Sequence, residues 1–236
     1  QLNASVGFSR RLGDFWSGST SFIFRRIELT NIVPDAPVEV FDDAGPLNLD
    51  TVAFAFTRNT VDRPFRPSRG SNLEFGVSLT GLLAGDRTYT TVRASWTTFI
   101  TIDEDFLGRR SVLRLNAQAG YIFGDEAPVY DKFYLGGRSF RGFDFRTVSP
   151  KGIDRFGNQT DDPIGGNWYM FLGAQYEFPI YQQLLAGVVF IDSGTVTEDF
   201  GIDDYRVSIG AGLRIYLPAF GPAPIALDFG FPLVDQ

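Results

Sequence analysis

Apolar residues alternate with polar or small ones along the whole of the segment Leu113-Arg114-Leu115-Asn116-Ala117-Gln118-Ala119-Gly120-Tyr121. Successive side chains of a β-strand point to opposite faces, so this pattern predicts a strand with one apolar and one polar face. The same period of two returns on both sides of the segment, in runs that start near residues 2, 22, 52, 73, 92, 168, 184, 207 and 225. We therefore predict an all-β chain of about ten antiparallel strands.

Composition excludes several classes of function. The chain has 236 residues, a net charge of −7, and neither cysteine nor histidine. Ser-His triads, histidine-metal sites, disulfides and thiolate metal sites are therefore excluded. The acidic balance argues against nucleic acid as a partner. No Gly-rich phosphate loop of the expected spacing occurs, so the sequence predicts no cofactor, and no apolar run reaches the roughly 18 residues of a spanning helix.

The alternation leaves open which solvent each face meets. In a soluble sandwich the apolar face is the core, whereas in a membrane barrel it meets lipid and the polar face lines the lumen. The predicted strands run about ten to fourteen residues, longer than the roughly five or six usual in globular proteins. Aromatic residues also lie near strand ends, as in an interfacial girdle, among them Trp168, Tyr176 and Phe178. These features favour a transmembrane antiparallel β-barrel.

A barrel interpretation fixes the side chains that face lipid and those that face the lumen. The apolar phase assigns to lipid Leu73, Val77, Leu115, Leu172, Ile209 and Leu227. The polar phase assigns to the lumen Arg93, Arg114, Gln175, Arg206 and Arg214.

A long segment, residues 124–166, interrupts the strand pattern and contains Tyr134-Leu135-Gly136-Gly137-Arg138-Ser139-Phe140-Arg141-Gly142-Phe143. Its centre is a cation between rigid aromatic rings, followed by a glycine that lets the backbone turn tightly. Such a segment could fold back into a cavity and bind there through Arg141. Taken alone, however, the tetrapeptide favours a surface loop with a solvated arginine.

The loop and its neighbours resemble a known family. Phe140-Arg141-Gly142-Phe143, with Gly136-Gly137 before it, resembles the sixth extracellular loop of the outer-membrane assembly insertases, BamA and its relatives. Residues 58–70 resemble a periplasmic turn of these barrels. Later motifs follow in the family's order: Tyr176-Glu177-Phe178, Phe190-Ile191-Asp192-Ser193-Gly194, and Gly212-Leu213-Arg214 followed by Pro218 and Gly221-Pro222. The resemblance covers nearly the whole chain, weakly over the first fifty residues, and Phe140 replaces the family's small aliphatic residue.

The resemblance implies a loop lock, by which we mean the loop residues Phe140, Arg141, Gly142 and Phe143 together with Glu177 and Asp192. In the family the loop arginine lies inside the barrel and pairs with acids on the two strands that follow, which here are Glu177 and Asp192. A buried arginine between two carboxylates is physically reasonable, because bidentate hydrogen bonds offset its desolvation. The alternative is that both acids are ordinary lumen charges in water.

The resemblance also implies a larger protein. The family barrel has sixteen strands, preceded by periplasmic POTRA domains. We expect residues 1–236 to be a partial barrel domain, roughly strands six to fifteen, because the sequence stops at Asp235-Gln236 without a closing strand and two open edges are not tolerated in lipid. Residues 33–50 and 124–166 are expected to be extracellular, and residues 62–70 to form a periplasmic turn.

The function implied is that of an insertase in the bacterial outer membrane and not of an enzyme. Its expected partners are outer-membrane protein clients, the lipid bilayer, and accessory assembly lipoproteins bound through the periplasmic domains. Three alternatives remain: a two-partner secretion or TamA-like translocator of the same superfamily, a passive porin-like channel, and a barrel hydrolase. The hydrolase would need a pair of catalytic carboxylates, because the chain has no histidine.

Overall fold

The structure, a computed structural model, describes residues 1–217 and 223–234. Its elements, in chain order, are β1 (Leu2–Arg11), β2 (Trp16–Leu29), α1 (Val38–Asp42), β3 (Gly45–Asn59), β4 (Gly70–Thr80), β5 (Tyr89–Glu104), β6 (Arg110–Phe123), β7 (Lys151–Ile153), β8 (Gln159–Pro163), β9 (Trp168–Tyr181), β10 (Leu185–Thr197), β11 (Arg206–Ile215) and β12 (Ile225–Val234). The motif residues Pro218, Gly221 and Pro222, and the terminal Asp235 and Gln236, lie outside the described residues.

Ten of these strands form one antiparallel sheet in the order β1-β2-β3-β4-β5-β6-β9-β10-β11-β12. Its strands are 10 to 16 residues long, which fits a tilted membrane crossing better than a globular sheet. The predicted all-β fold of about ten antiparallel strands is confirmed. In the described part of the chain, β1 and β12 are the sheet edges, and no helix is long and apolar enough to cross a bilayer.

Two strand boundaries differ from the prediction. Strand β2 begins at Trp16 instead of near residue 22, and β3 begins at Gly45 instead of after a loop that reaches Asp50. Residues 45–50 continue the ladder with the end of β2, because Gly45 pairs with Leu29 and the register then runs without a break. The alternation is weak in both places, and the hydrogen-bonded partner strand decides the structure instead.

The register assigns each side chain to one face of the sheet. We call the face that contacts residues 124–166 the inner face, and the opposite one the outer face. Strand partners share a face, so Arg114, opposite Gln175, and Gly76, opposite Arg93, are inner residues. All five predicted lumen residues lie on the inner face, and all six predicted lipid residues lie on the outer face. Large apolar side chains of the outer face are left exposed, including Phe56, Phe75, Trp96, Leu172, Ile191, Ile209, Phe229 and Phe231. A sandwich would bury them against a second sheet, so the barrel interpretation is the one that fits.

An arginine on the outer face should be far more costly than one beside it on the inner face. Leu115 lies near the middle of β6. The variant Leu115→Arg should therefore lower the free energy of unfolding in lipid by roughly 2–4 kcal/mol. Asn116→Arg is the matched control, because its side chain enters the polar inner face. Denaturant titration of the protein in lipid vesicles measures both. Equal losses for the two variants would contradict the face assignment.

The apolar core lies between residues 124–166 and the inner face. Six of its buried residues come from this loop, namely Ala127, Phe133, Leu135, Phe140, Phe143 and Val148, and five come from strands, namely Tyr89, Ile122, Tyr169, Phe171 and Val196. Strand β10 is therefore apolar on both faces because the loop covers part of its inner face. The short hairpin β7–β8 and α1 were not predicted, since elements of five or fewer residues are too short to show a period.

The connections divide between the two ends of the sheet. Residues 60–69 join β3 to β4 at one end, while residues 30–44 and 124–167 join strands at the other. Helix α1 and the β7–β8 hairpin pack together at that second end, where a Cβ on Gly152 would lie 2.4 Å from the Pro37 Cβ.

Protease added to intact cells should therefore reach only one end. We expect cleavage within residues 30–44 and 124–167, and no cleavage within residues 60–69, because the two sets of connections lie on opposite sides of the membrane. Mass spectrometry of the fragments identifies the cut sites, and disrupted cells provide the control in which residues 60–69 become accessible. Cleavage of residues 60–69 in intact cells would invert the predicted orientation.

Candidate functional site

The aromatic residues of the loop motif hold it against the sheet. Phe140 is 0 % exposed. Its ring meets Phe143 edge-on at a centroid distance of 4.7 Å and Phe171 of β9 at 5.6 Å. Edge-to-face pairs of this kind add to the free energy gained by burying the rings. The large side chain that replaces the family's small aliphatic residue is thus accommodated in the core.

Gly142 brings the loop backbone into contact with β11 and β12. Its φ of +93° is in the left-handed region, which glycine adopts without steric cost. A Cβ there would lie 3.0 Å from the Ser208 Cβ and 3.2 Å from the Gly230 carbonyl carbon. The Ser208 hydroxyl donates a hydrogen bond to the Arg141 carbonyl oxygen. A side chain at residue 142 would therefore be both strained and obstructed.

Arg141 is held at its guanidinium by three kinds of contact. Its Nε and Nη2 donate to the two carboxylate oxygens of Asp192 at 2.7 and 2.9 Å, and its Nη1 donates to Gln175 Oε1 at 2.8 Å. The guanidinium carbon also lies 3.5 Å from the centroid of the Phe190 ring. Asp192 is only 2 % exposed and the Arg141 side chain 20 %. Bidentate pairing and a cation–π contact offset the desolvation of a charge buried in this way.

A second ion pair adjoins the first. Arg214 of β11 donates to both carboxylate oxygens of Asp228 on β12, at 2.6 and 3.0 Å. Asp228 Oδ2 lies 3.6 Å from Arg141 Nη1, and Gln175 Oε1 accepts a longer bond of 3.5 Å from Arg214. Two cations and two anions thus share one cluster, which connects β9, β10, β11 and β12. A cavity of about 230 Å³ beside it is lined in part by Arg114 and Arg138.

The expected pairing of Arg141 with Glu177 does not occur, since no ion pair joins these two residues within the described ranges. The reason is the register: Asp192 lies opposite Gly173 of β9, whereas Glu177 lies opposite Val188, four residues along the strand. At about 3.3 Å per residue this separates the two acids by roughly 13 Å. Gln175, between these levels, contacts Arg141 instead.

Glu177 belongs to a different contact, at the end of the sheet where residues 60–69 lie. It accepts a hydrogen bond of 2.9 Å from the Tyr216 hydroxyl and lies 3.6 Å from Arg66 Nη2. The Arg66 guanidinium carbon is 4.1 Å from the Tyr216 ring centroid. This group joins the β3–β4 connection to β9 and the end of β11.

Sequence reasoning missed Gln175 as a partner, and it missed Asp228, Ser208, Phe190 and Gly230 altogether as parts of the site. Gln175 was assigned correctly to the polar face, and the polar position of Asp228 in its strand was visible. No signal in the sequence, however, shows how deep along each strand the loop arginine reaches.

The connection between β3 and β4 is ordered around Asp62. Burial would raise the pKa of its carboxyl, but hydrogen bonds from the Ser68 hydroxyl and from the Ser68 and Arg69 amides lower this pKa to about 2. Gly70 closes the turn with a φ of +97°, and a Cβ there would lie 2.2 Å from the Thr60 carbonyl oxygen.

Neutralising Asp62 should loosen this turn. Because its folded pKa of about 2 lies below the ordinary value of about 3.9, its contribution is fully present above about pH 4 and is lost as the pH falls through 2. Asp62→Asn removes it at neutral pH, and amide exchange at Ser68 and Arg69 should become about five-fold faster or more. Asp14→Asn, in the turn between β1 and β2, is the control. Unchanged exchange in Asp62→Asn would refute this role.

The arrangement is suited to holding a loop. Asp192 and Asp228 are both engaged by guanidinium groups, so neither is placed as a free acid or nucleophile. Within residues 1–217 and 223–234, no group of three or more metal-ligating side chains could hold a metal ion.

Comparison with known proteins gives a consistent result. The sequence model of the Omp85 superfamily domain matches residues 1–236. Two curated relatives are named outer membrane protein assembly factor BamA. The one from Neorickettsia risticii is 28% identical over a match that covers 79% of this chain and 25% of the relative. The one from Nitratidesulfovibrio vulgaris is 27% identical over a match that covers 98% of this chain and 29% of the relative. A SAM50-like protein of Schizosaccharomyces pombe is 25% identical over 98% of this chain and 51% of its own length.

The fold is also found in a solved structure. The crystal structure of BamA from Haemophilus ducreyi lacking POTRA domains 1–3 matches with a TM-score of 0.85 at 20% sequence identity. The match covers 99% of this chain and 51% of that one. The chain thus spans less than a third of the length of the two BamA relatives and about half of the solved chain.

Proposed function

From the premise that this chain belongs to the Omp85 superfamily, we propose that it forms part of the barrel of an assembly factor. This factor folds client β-barrel proteins into the outer membrane. The protein is a β-barrel protein of the bacterial outer membrane. The relatives named as assembly factors support the proposal, because two of them align with 79% and 98% of this chain.

One structural observation carries the proposal furthest. Residues 124–166 are held on the inner face by the pair between Arg141 and the nearly fully buried Asp192. A loop held inside the lumen by a desolvated ion pair narrows the path for solutes, which favours an assembly factor over an open passive channel. A lumen that contains an immobile loop is instead suited to a barrel whose activity takes place at its edge strands.

We propose that these ten strands are roughly strands six to fifteen of a closed sixteen-stranded barrel. The match to the solved BamA chain supports this, since this chain aligns over 99% of its own length with 51% of that one. Client strands would be templated by backbone hydrogen bonds at a seam between the first and last strands of the complete barrel. POTRA domains and their accessory lipoproteins would lie outside this chain, which provides the back wall and the loop lock.

Reconstitution tests the proposal. The full-length protein in phospholipid vesicles should accelerate the folding of an added, urea-denatured outer-membrane protein about ten-fold or more over empty vesicles. Folding is read from the gel mobility of unheated samples. Vesicles that contain a porin serve as the control for a barrel without assembly activity. Ion conductance without faster client folding would indicate a channel, and transport of a secreted protein without faster client folding would indicate a translocator.

A further inference from the structure

Residues 124–166 make a second charged contact far from Arg141. Asp131 of the loop accepts hydrogen bonds from Arg25 of β2, with Nη1 at 2.8 Å and Nη2 at 2.5 Å, and from the hydroxyl of Tyr89 on β5. The side chains of Arg25 and Asp131 are 23% and 15% exposed. Such a bidentate pair, completed by a neutral donor, satisfies both carboxylate oxygens.

This contact lies on a different part of the sheet from the loop lock. Asp131 binds β2 and β5, whereas Arg141 binds β9 and β10, and β6 separates the two groups in the sheet. The polarity is also reversed, because the loop supplies the acid in one case and the cation in the other. Opposite polarity prevents the two contacts from exchanging partners.

The segment around Asp131 is held by further contacts that fix its position. The Val129 amide donates to Asp43, next to α1, at 2.7 Å, and Arg87 lies 3.4 Å from the same carboxylate. Phe133 follows two residues after Asp131, and the Arg93 guanidinium carbon lies 4.9 Å from the centroid of the Phe133 ring. Asp131 is thus held in place by its own segment when it meets Arg25.

We propose that Arg25, Tyr89 and Asp131 form a second anchor of the loop, so that residues 124–166 act as a crossbar fixed to two separate parts of the barrel wall. The apolar core around Phe140 and Phe133 lies between the two anchors and joins them. Losing one anchor loosens its own end of the loop but leaves the other end in place, and only the loss of both frees the whole loop. This inference concerns the position of the loop and does not depend on client assembly.

The test measures protease cleavage within residues 124–166 of the full-length protein in its membrane. Arg25→Ala and Asp131→Ala should each raise the cleavage rate about three- to ten-fold, because either one leaves an unpaired charge. The charge swap Arg25→Asp with Asp131→Arg should restore the rate to within about three-fold of the original. Arg26→Ala, on the outer face of the same strand, is the matched control and should change nothing. Single variants that behave like Arg26→Ala would overturn the proposal.

A double variant separates a crossbar from a local structural contact. Asp131→Ala combined with Arg141→Ala should raise cleavage by much more than the product of the two single effects, since only then are both anchors lost. A rate equal to that product would overturn the crossbar. If the charge-swap variant does not reach the membrane, Tyr89→Phe provides the test. It should raise the cleavage rate in the original protein but should not change the rate in the Asp131→Ala variant. Equal effects of Tyr89→Phe in both backgrounds would refute the anchor.

Discussion

Arg141→Ala is expected to weaken the barrel far more than the loss of Arg138, the other arginine of the loop motif. Removal of the guanidinium leaves Asp192, which is 2% exposed, as a buried carboxylate without its cation. Breaking a buried pair in this way typically costs about 3–5 kcal/mol. The adjoining cavity of about 230 Å³ gives water some access, so we expect a loss near the lower end of that range. Denaturant unfolding of the protein in lipid measures it.

Two further variants make this prediction specific. Arg138→Ala is the matched control, because Arg138 lies three residues away in the same loop and is exposed. It should cost less than about 0.5 kcal/mol. Arg141→Lys should restore only part of the loss, since an ammonium lacks the planar fork that reaches both oxygens of Asp192 and also Gln175. Equal losses for Arg138→Ala and Arg141→Ala, or complete restoration by lysine, would contradict the role of the pair.

Gly230→Val is expected to have an effect of similar size although it removes no charge. A Cβ at residue 230 would lie 2.6 Å from the Gly142 amide nitrogen and 2.9 Å from its Cα. These are backbone atoms, so no side chain can turn aside to make room. The loop must move away from β12, and the contacts of Arg141 with Asp192 are then stretched or lost. We expect a loss of about 3 kcal/mol, the upper end for overpacking, together with faster protease cleavage of residues 124–166.

The same substitution elsewhere on the inner face provides the control. Gly76 of β4 also faces inward, but a Cβ there would meet only the Phe54 carbonyl oxygen, at an ordinary 3.7 Å. Gly76→Val should therefore change the stability by less than about 1 kcal/mol and leave cleavage of the loop unchanged. If both valine variants destabilise the protein equally, the cost comes from losing a glycine in a strand and not from contact with the loop.

The faces of residues in the regularly alternating strands could be predicted from the sequence, because the period of two is a local property of the chain. Leu172 and Gln175, for example, were assigned to opposite faces without knowledge of any partner strand. Contacts between the loop and the wall were harder to predict, since they depend on how deep the loop enters. Arg141 and Asp192 meet as the resemblance implied, whereas Glu177, on the correct face, is too far along β9.

Residues that must be small because another segment packs against them could not be identified from the sequence. Gly230 occupies an inward position of β12 like any other small inner residue, and only the position of Gly142 makes it sensitive. Asp131 and Arg25 are 106 residues apart, and neither belongs to a motif. Pairing over such a separation is set by the strand order and the path of the loop, which the alternation does not encode.

The packing of strand β10 affects how the protein behaves when detergent replaces the membrane. Its inner residues Phe190 and Val196 are 5% and 3% exposed, the former beneath Arg141 and the latter in the core beneath the loop. This sector of the wall therefore resembles the central strand of a globular protein, with a packed layer on one side that does not consist of lipid. When detergent replaces the bilayer, only the outer face of this sector changes its environment. The sector formed by β9 and β10 should therefore be the last to lose its structure in harsh detergents.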